Sequence, residues 1–201
     1  MNEPTLKINF VNALLLCMLG ACSTSPKPNL YIIEPMSASA GTQIDNNLSI
    51  GIGPVTLPAH LNRKGIVTHD QRYRVNAAEF DRWAEPLDHN ITNALAENLS
   101  VLIPSDQVMA YPWDSAHNFD FTVQIRVITF GANPNGEVVL SASWTIYDAT
   151  NAPVELTKTR YVAARRGDDM VALVAAMSQT IEQLSRDIAA VLVAASAEPP
   201  G

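Results

Sequence analysis

A strictly alternating segment between residues 119 and 127 constrains the fold of this chain most strongly. Its odd-numbered positions are apolar and its even-numbered positions are polar; the apolar ones are Phe119, Phe121, Val123, Ile125 and Val127. A period of two places the two sets on opposite faces of a strand, so one face is buried and the other is wet. The dipeptide Asn135-Gly136 separates this strand from a second alternating segment, Val138 to Ile146. Together the two segments predict an antiparallel hairpin.

Two further segments extend the predicted sheet. A third strand follows the turn at residues 148–153. Its apolar positions, Val154 and Leu156, are predicted to face inward. Lys158 and Arg160 are charged positions on the same alternation. Charged positions resist further pairing, so this strand is predicted to form an edge of the sheet. Earlier in the chain, residues 48–53 form the predicted first core strand, and Pro54 fits only at the edge or end of such a strand.

Two other segments repeat their apolar residues at helical spacing. The first starts with Pro86, which a first helical turn tolerates, and stops at Pro104. Its apolar positions are Leu87, Ile91, Leu95, Leu99 and Leu102. The second starts at a cap formed by Asp168 or Asp169. Its apolar positions are Met170, Val174, Met177, Ile181, Leu184, Ile188 and Val191.

The order of these elements predicts an α+β fold, in which a mainly antiparallel sheet of about four to five strands is covered by two helices. A hydrophobic content of 47% with 16% charged residues is sufficient to build one core, which we assign to a single domain over residues 48–195. The proline-containing end of the chain, residues 196–201, is predicted to be a disordered tail.

The first 21 residues have the pattern of a signal peptide. A polar segment containing Lys7 precedes an apolar run that is too short to span a bilayer as a helix. The run ends in Leu19-Gly20-Ala21-Cys22. This ending resembles the lipobox of bacterial lipoproteins, which implies a diacylglycerol on the thiol of Cys22, cleavage before Cys22 and an N-acyl chain on the new amino terminus. Cys17 does not fit, because the preceding Leu16 is bulky. The alternatives are an ordinary secretory signal with an incidental cysteine, or a buried apolar helix.

Residues 22–47 are predicted to be the lipidated N-terminus and a flexible tether, because they are rich in Ser, Pro and Asn and lack periodicity. The residue after Cys22 is Ser23 and not aspartate, and by resemblance to Gram-negative sorting rules this favours the periplasmic face of the outer membrane. Removal of residues 1–21 would leave Cys22 as the one cysteine, so no internal disulfide is predicted. No cofactor is predicted apart from the covalent acyl chains on Cys22. The net charge of −7 argues against nucleic acid and against broad electrostatic adhesion to anionic headgroups.

Several motifs resemble one family of lipoproteins. They are Gly53-Pro54-Val55-Thr56-Leu57-Pro58, Arg63, Ile66-Val67-Thr68, Ala78-Glu79-Phe80-Asp81-Arg82-Trp83-Ala84-Glu85-Pro86-Leu87, and the stretches 171–178 and 184–189 of the last helix. The chain is similar in these segments to the paraquat-inducible protein C (PqiC) family, also described as auxiliary lipoproteins of ABC-type lipid transport systems. The resemblance implies an outer-membrane lipoprotein that docks a periplasm-spanning MCE-domain protein, and it further implies a homo-oligomeric ring.

The run from Arg82 to Pro86 has two interpretations. In the functional one, Arg82, Trp83 and Glu85 form a docking surface for the next subunit or the MCE partner, since Trp and Arg are enriched at interfaces. In the structural one, which we favour, Trp83 is a core anchor, because buried aromatics are common. Arg82 and Glu85 then pair on an early helical turn and, with Pro86, fix how the chain enters the helix.

The last helix allows a similar choice. Leu173 and Leu192 lie outside its main apolar stripe and widen the apolar face, which leaves room for a subunit contact besides the packing on the sheet.

No enzymatic motif is found in the sequence. It contains no Gly-x-Ser-x-Gly elbow, no phosphate-binding glycine loop and no His-Glu-x-x-His. The four histidines, His60, His69, His89 and His117, lack the spacing of metal ligands. Two non-enzymatic hypotheses therefore stand: a lipidated oligomeric docking element for an MCE-domain protein, or a freestanding periplasmic lipoprotein that accepts or shuttles lipid. The bulky inward strand positions favour the first, because they would fill the core of a small domain.

Overall fold

The computed structural model describes residues 26–37, 48–71, 74–103, 105–113 and 117–197. Outside these residues lie the predicted signal peptide, the predicted anchor Cys22, residues 23–25 and 38–47 of the predicted tether, and residues 198–201 of the predicted tail. The described residues form eight strands and two helices. Neither of these helices has both the length and the apolarity that a membrane crossing requires.

The strands and helices are assembled into two sheets and one helical layer. The strands are β1 (Asn29–Tyr31), β2 (Ile50–Thr56), β3 (Gly65–Gln71), β4 (Arg74–Trp83), β5 (Val108–Ala110), β6 (Phe121–Ala132), β7 (Glu137–Asp148) and β8 (Pro153–Ala164). The helices are α1 (Leu87–Leu102) and α2 (Met170–Ser196). The five-stranded sheet has the order β5-β2-β6-β7-β8, and the three-stranded sheet has the order β1-β4-β3. The predicted α+β class with two helices is confirmed.

The predicted hairpin is present as β6 and β7, which pair antiparallel along most of their length. Its turn is fixed by Asn133, whose side-chain oxygen accepts hydrogen bonds from the N–H groups of Asn135 at 2.9 Å and Glu137 at 3.0 Å. Gly136 has φ +83°, a conformation that favours glycine, so the Asn-Gly signal found in the sequence has a direct structural cause.

The five-stranded sheet is mixed, which differs from the predicted mainly antiparallel arrangement. β2 pairs parallel with both β5 and β6, whereas β6, β7 and β8 form an antiparallel meander. Parallel pairing of β2 with β5 is possible because α1 crosses between them, as a parallel connection requires. β2 also continues through Pro54 to Thr56. Its pairing with β5 ends at Ile52, so the missing N–H of Pro54 costs no hydrogen bond on that side.

The third predicted strand, β8, is an edge strand as expected, but its inward and outward faces were assigned the wrong way round. Val154 and Leu156 are exposed, Leu156 to 75%. The half-buried positions are Glu155, Thr157, Thr159 and Tyr161, followed by buried Ala163. The register with β7 places these positions on the helical side, where the hydroxyl of Tyr161 donates a hydrogen bond of 2.6 Å to Asp187 of α2. Burial and this hydrogen bond raise the pKa of Tyr161.

The three-stranded sheet was not predicted. β3 and β4 form an antiparallel hairpin, and β1 adds to β4 in parallel. The sequence predicts only two short extended segments here, residues 65–68 and 73–75, because most side chains of β4 are exposed and show no alternation. The hairpin lies against the outer face of β6, where a side-chain carbon added to Gly131 would stand 2.9 Å from the backbone oxygen of Val67.

One continuous core lies between the helices and the five-stranded sheet. All apolar positions predicted for α1 are buried except Leu102, which is half-buried. In α2 the predicted stripe is buried between Val174 and Ile188, and Asp169 caps the helix by accepting a 2.7 Å hydrogen bond from the N–H of Ala172. Leu173 and Leu192 are also buried in this core, so they do not widen an exposed face for a subunit contact.

Candidate functional site

The N-terminal segment, residues 29–36, is packed on the domain, although the sequence predicted a flexible tether as far as residue 47. β1 pairs with β4, and the backbone N–H of Ala84 donates to the carbonyl of Tyr31 at 2.9 Å. Ile33 is buried in the core with 3% exposure. The folded part therefore begins well before the predicted boundary at Leu48.

Side chains of both helices hold the backbone of this segment. The N–H of Ile33 donates to the side-chain oxygen of Asn90 at 2.7 Å, and the N–H of Met36 donates to that of Asn98 at 2.7 Å. The N–H of Glu34 donates to the hydroxyl of Ser178 on α2 at 3.0 Å. Asn90 and Asn98 were not identified from sequence, although a spacing of eight residues places both on one face of α1 and was the available signal.

A cleft of about 490 Å³ lies beside Pro28, on the side of the chain that leads to the predicted anchor Cys22, and we call it the anchor cleft. The residues that line it come from the chain just before and within β1, the β2–β3 connection, the end of β4 and the turn into α1. They are Pro28, Leu30, Asn62, Arg63, Lys64, Arg82, Trp83, Ala84, Glu85, Pro86 and Leu87. The four residues singled out in the predicted motif therefore line one cleft; they are Arg82, Trp83, Glu85 and Pro86.

The structure places the motif residues between a strand and a helix. Trp83 ends β4 and is a core residue with 5% exposure, and Pro86 directly precedes α1. Arg82 lies in β4, so the predicted pairing of Arg82 with Glu85 on a helical turn is wrong. The Nε of Arg82 instead donates to the carbonyl of Glu79 at 2.8 Å.

The neighbouring acid points away from this cleft. Asp81 and Arg82 are successive residues of β4 and lie on opposite faces of the strand. Asp81 Oδ1 accepts hydrogen bonds of 2.9 Å from both the hydroxyl of Tyr31 and the side-chain nitrogen of Asn29. Partial burial and the hydrogen bond to Asp81 raise the pKa of Tyr31. Asp81 therefore fixes β1 on β4.

A second groove of about 450 Å³ separates the N-terminal segment from α2. Its exposed apolar side chains are Leu30, Ile32 and Val171, which belong to the groove walls. Gln179 and Glu182 of α2 add polar groups at one side of the groove. The groove is open to solvent along the N-terminal segment.

A cluster of aromatic side chains, which we call the aromatic patch, covers the outer face of β2. Tyr111, Trp113 and Phe119 stack edge to face, with ring centroids 5.2 Å and 4.9 Å apart. The absence of a side chain at Gly51 makes room for them, since an added carbon there would stand 2.8 Å from Phe119. Tyr111 is 45% exposed. This patch was not predicted from the sequence, because Tyr111 and Trp113 lie in a loop without periodicity.

In the described part of the chain, the histidines are not grouped with other potential metal ligands. His60 and His69 stand edge to face with centroids 6.4 Å apart, and His117 stacks on Phe119. Among the described residues, no three His, Cys, Asp or Glu side chains are placed where they could hold a metal ion together.

The chain matches known proteins over most of this domain. The sequence profile of the family described as ABC-type transport auxiliary lipoprotein component matches residues 31–189. The intermembrane transport lipoprotein PqiC of Escherichia coli is 30% identical over 132 residues, which cover 64% of this chain and 68% of that protein. The protein of the same name from Shigella flexneri matches to the same extent.

Two solved structures show the same fold. A crystal structure of an uncharacterized protein superposes with a TM-score of 0.68 at 22% identity, covering 83% of this chain and 99% of the other. A protein from Xanthomonas campestris superposes with a TM-score of 0.69 at 10% identity, covering 84% and 97%. The resemblance to the PqiC family inferred from the motifs is confirmed by the sequence matches. The chain therefore belongs to the family of ABC-type transport auxiliary lipoprotein components.

Proposed function

We propose that this chain is a non-enzymatic lipoprotein subunit of an intermembrane lipid transport system. It is anchored through Cys22 at the periplasmic face of the outer membrane and forms a homo-oligomer that docks a periplasm-spanning MCE-domain protein. Membership of a family of transport auxiliary lipoproteins carries the proposal. The Escherichia coli relative, named an intermembrane transport lipoprotein, supports the transport of lipid between membranes.

The attachment of the N-terminal segment supports a fixed coupling element over a mobile shuttle. Three backbone N–H groups of this segment donate to side chains of α1 and α2. A pull on the lipid anchor is thereby transmitted to the core. Only the six residues 23–28 separate Cys22 from that fixed segment.

The filled core also supports a role as a coupling element and argues against storage of a lipid inside the domain. Phe130, Leu140, Ile146 and Trp144 occupy the space between the sheet and the helices, with exposures of 2% or less. Interiors filled by such side chains pack at the density of organic crystals and leave no room for an acyl chain. The anchor cleft and the groove beside α2 are open surface features instead.

The aromatic patch is the surface that we assign to the docked partner. The patch covers the outer face of β2 beside β5, which is an edge strand of the five-stranded sheet. Tyr111 is 45% exposed there, and aromatic side chains are enriched in binding hot spots.

The test is a mild-detergent pull-down of the tagged full-length chain, with mass spectrometry of the proteins that co-purify. We expect an MCE-domain protein with the unaltered chain and a loss of most of it with Tyr111→Ala. The control is Phe80→Ala, which removes another partly exposed aromatic ring, on β4, and should leave recovery unchanged.

Two results would contradict the proposal. Equal recovery with both variants would exclude the aromatic patch as the docking surface. Recovery of no MCE-domain protein, from a chain that is folded and located in the outer membrane, would exclude the coupling function and favour a freestanding lipid-binding lipoprotein.

A further inference from the structure

We infer that the anchor cleft binds the headgroup of an anionic phospholipid of the membrane in which the chain is anchored. The inference rests on the proposed lipid anchor and adds a second, non-covalent contact with the bilayer. The net charge of −7 argues against broad adhesion to anionic headgroups, whereas this contact is confined to one cleft.

Positive charge is concentrated at the cleft although the chain carries a net charge of −7. Arg63, Lys64 and Arg82 all line it. Arg63 and Lys64 are exposed in the β2–β3 connection. Among the described residues, none of the three forms an ion pair. Phosphate groups are the natural partners of such a set, because guanidinium and ammonium groups donate several hydrogen bonds to phosphate oxygens.

The acids near the cleft do not cancel this charge. Asp81, next to Arg82 in sequence, is held by Tyr31 and Asn29 on the other face of β4. Glu85 is the one carboxylate among the described residues that line the cleft. Three cations against one anion leave an excess of positive charge there.

The cleft also has an apolar part that a free anion would not need. Pro28 and Leu30 form one wall, and Leu30 is 64% exposed. The edges of Trp83 and Leu87 contribute to the same cleft. A volume of about 490 Å³ accommodates a phosphoglycerol group together with the first methylenes of its acyl chains. Cations beside apolar surface match the boundary between headgroups and hydrocarbon.

The position of the anchor brings the membrane to the cleft. Pro28 is the sixth residue after Cys22. Six residues span at most about 20 Å when fully extended. A lipid inserted at Cys22 therefore keeps the bilayer surface within reach of the cleft, and tethering at so short a distance gives a high effective concentration of headgroups.

The experiment uses the full-length lipidated chain in neutral detergent micelles, titrated with phosphatidylglycerol and followed by backbone amide NMR. We expect saturable shifts of the amides around residues 62–64 and 82–87. Arg63→Ala/Lys64→Ala should weaken binding about thirtyfold, as expected for two cations next to an anionic headgroup. The control Lys158→Ala/Arg160→Ala removes the same charge from exposed positions of β8 and should leave the affinity unchanged.

Three results would overturn the inference. Equal weakening by the two double variants would show a diffuse electrostatic field. Equal binding of phosphatidylcholine would show partition of acyl chains without headgroup recognition, and saturation of the same amides by inorganic phosphate at similar concentration would show a free-anion site. The titration needs no partner protein, so its failure is distinct from failure of the pull-down, which reports on docking alone.

Discussion

Asn98 connects three parts of the molecule through one buried side chain. Its oxygen accepts the N–H of Met36 at 2.7 Å, and its nitrogen donates to the hydroxyl of Ser185 on α2 at 2.9 Å. Ser185 in turn donates to the carbonyl of Ile181 at 2.8 Å. With only 1% of its surface exposed, Asn98 has no access to replacement water partners. Buried amides of this kind are costly to remove, because each leaves polar groups without a partner.

Asn98→Ala should therefore destabilise the domain by about 2 kcal/mol, since it leaves the N–H of Met36 and the hydroxyl of Ser185 with one partner fewer. Chemical denaturation gives the free energy of unfolding. The matched control is Asn93→Ala, an exposed position of the same helix, which should change stability by less than about 0.5 kcal/mol. Equal effects of the two substitutions would show that the contact with the N-terminal segment does not stabilise the fold.

The contact between the two sheets depends on a glycine of β6. Gly131 has φ +147°, and an added side-chain carbon would stand 2.9 Å from the backbone oxygen of Val67 in β3. Gly131→Ala should destabilise by about 3 kcal/mol, because backbone strain adds to the clash. Gly136→Ala is the control, since its φ of +83° brings strain but nothing lies within 4 Å. Thermal unfolding of both variants measures the difference, and an equal loss would show that the close approach of β3 to β6 contributes nothing.

The strands that could be predicted from the sequence are those in which apolar and polar residues alternate and in which one face packs on the helices. β6 and β7 bury one set of side chains against the helices, and the local pattern records this directly. The apolar Val154 and Leu156 of β8 led to the wrong face, because alternation defines two sets but the register with β7 decides which set faces α2. β4 was not predicted, because most of its side chains are exposed and it is held in place by pairing with β3.

The candidate site combines segments that are distant in sequence, which limited its prediction. The resemblance identified Arg82, Trp83, Glu85 and Pro86, but the cleft also needs Lys64 and the N-terminal segment. The contacts that place this segment span 50 to 144 residues along the chain. A polar, proline-containing sequence carries no periodic signal for such contacts, so a tether was the physical expectation.

The attachment of the whole molecule to its membrane depends on which cysteine is processed. Cys22→Ala should abolish labelling by radioactive palmitate. The signal peptide is then not removed, so the protein should remain a precursor that is longer by the 21-residue signal and fractionates with the inner membrane. Cys17→Ala should retain the label, normal processing and the outer-membrane location, since bulky Leu16 precedes that residue. Palmitate labelling with gel mobility, followed by separation of the two membranes, measures all three properties. Normal labelling and processing of Cys22→Ala would refute the assignment of the anchor, whereas loss of the label in both variants would implicate the signal segment as a whole.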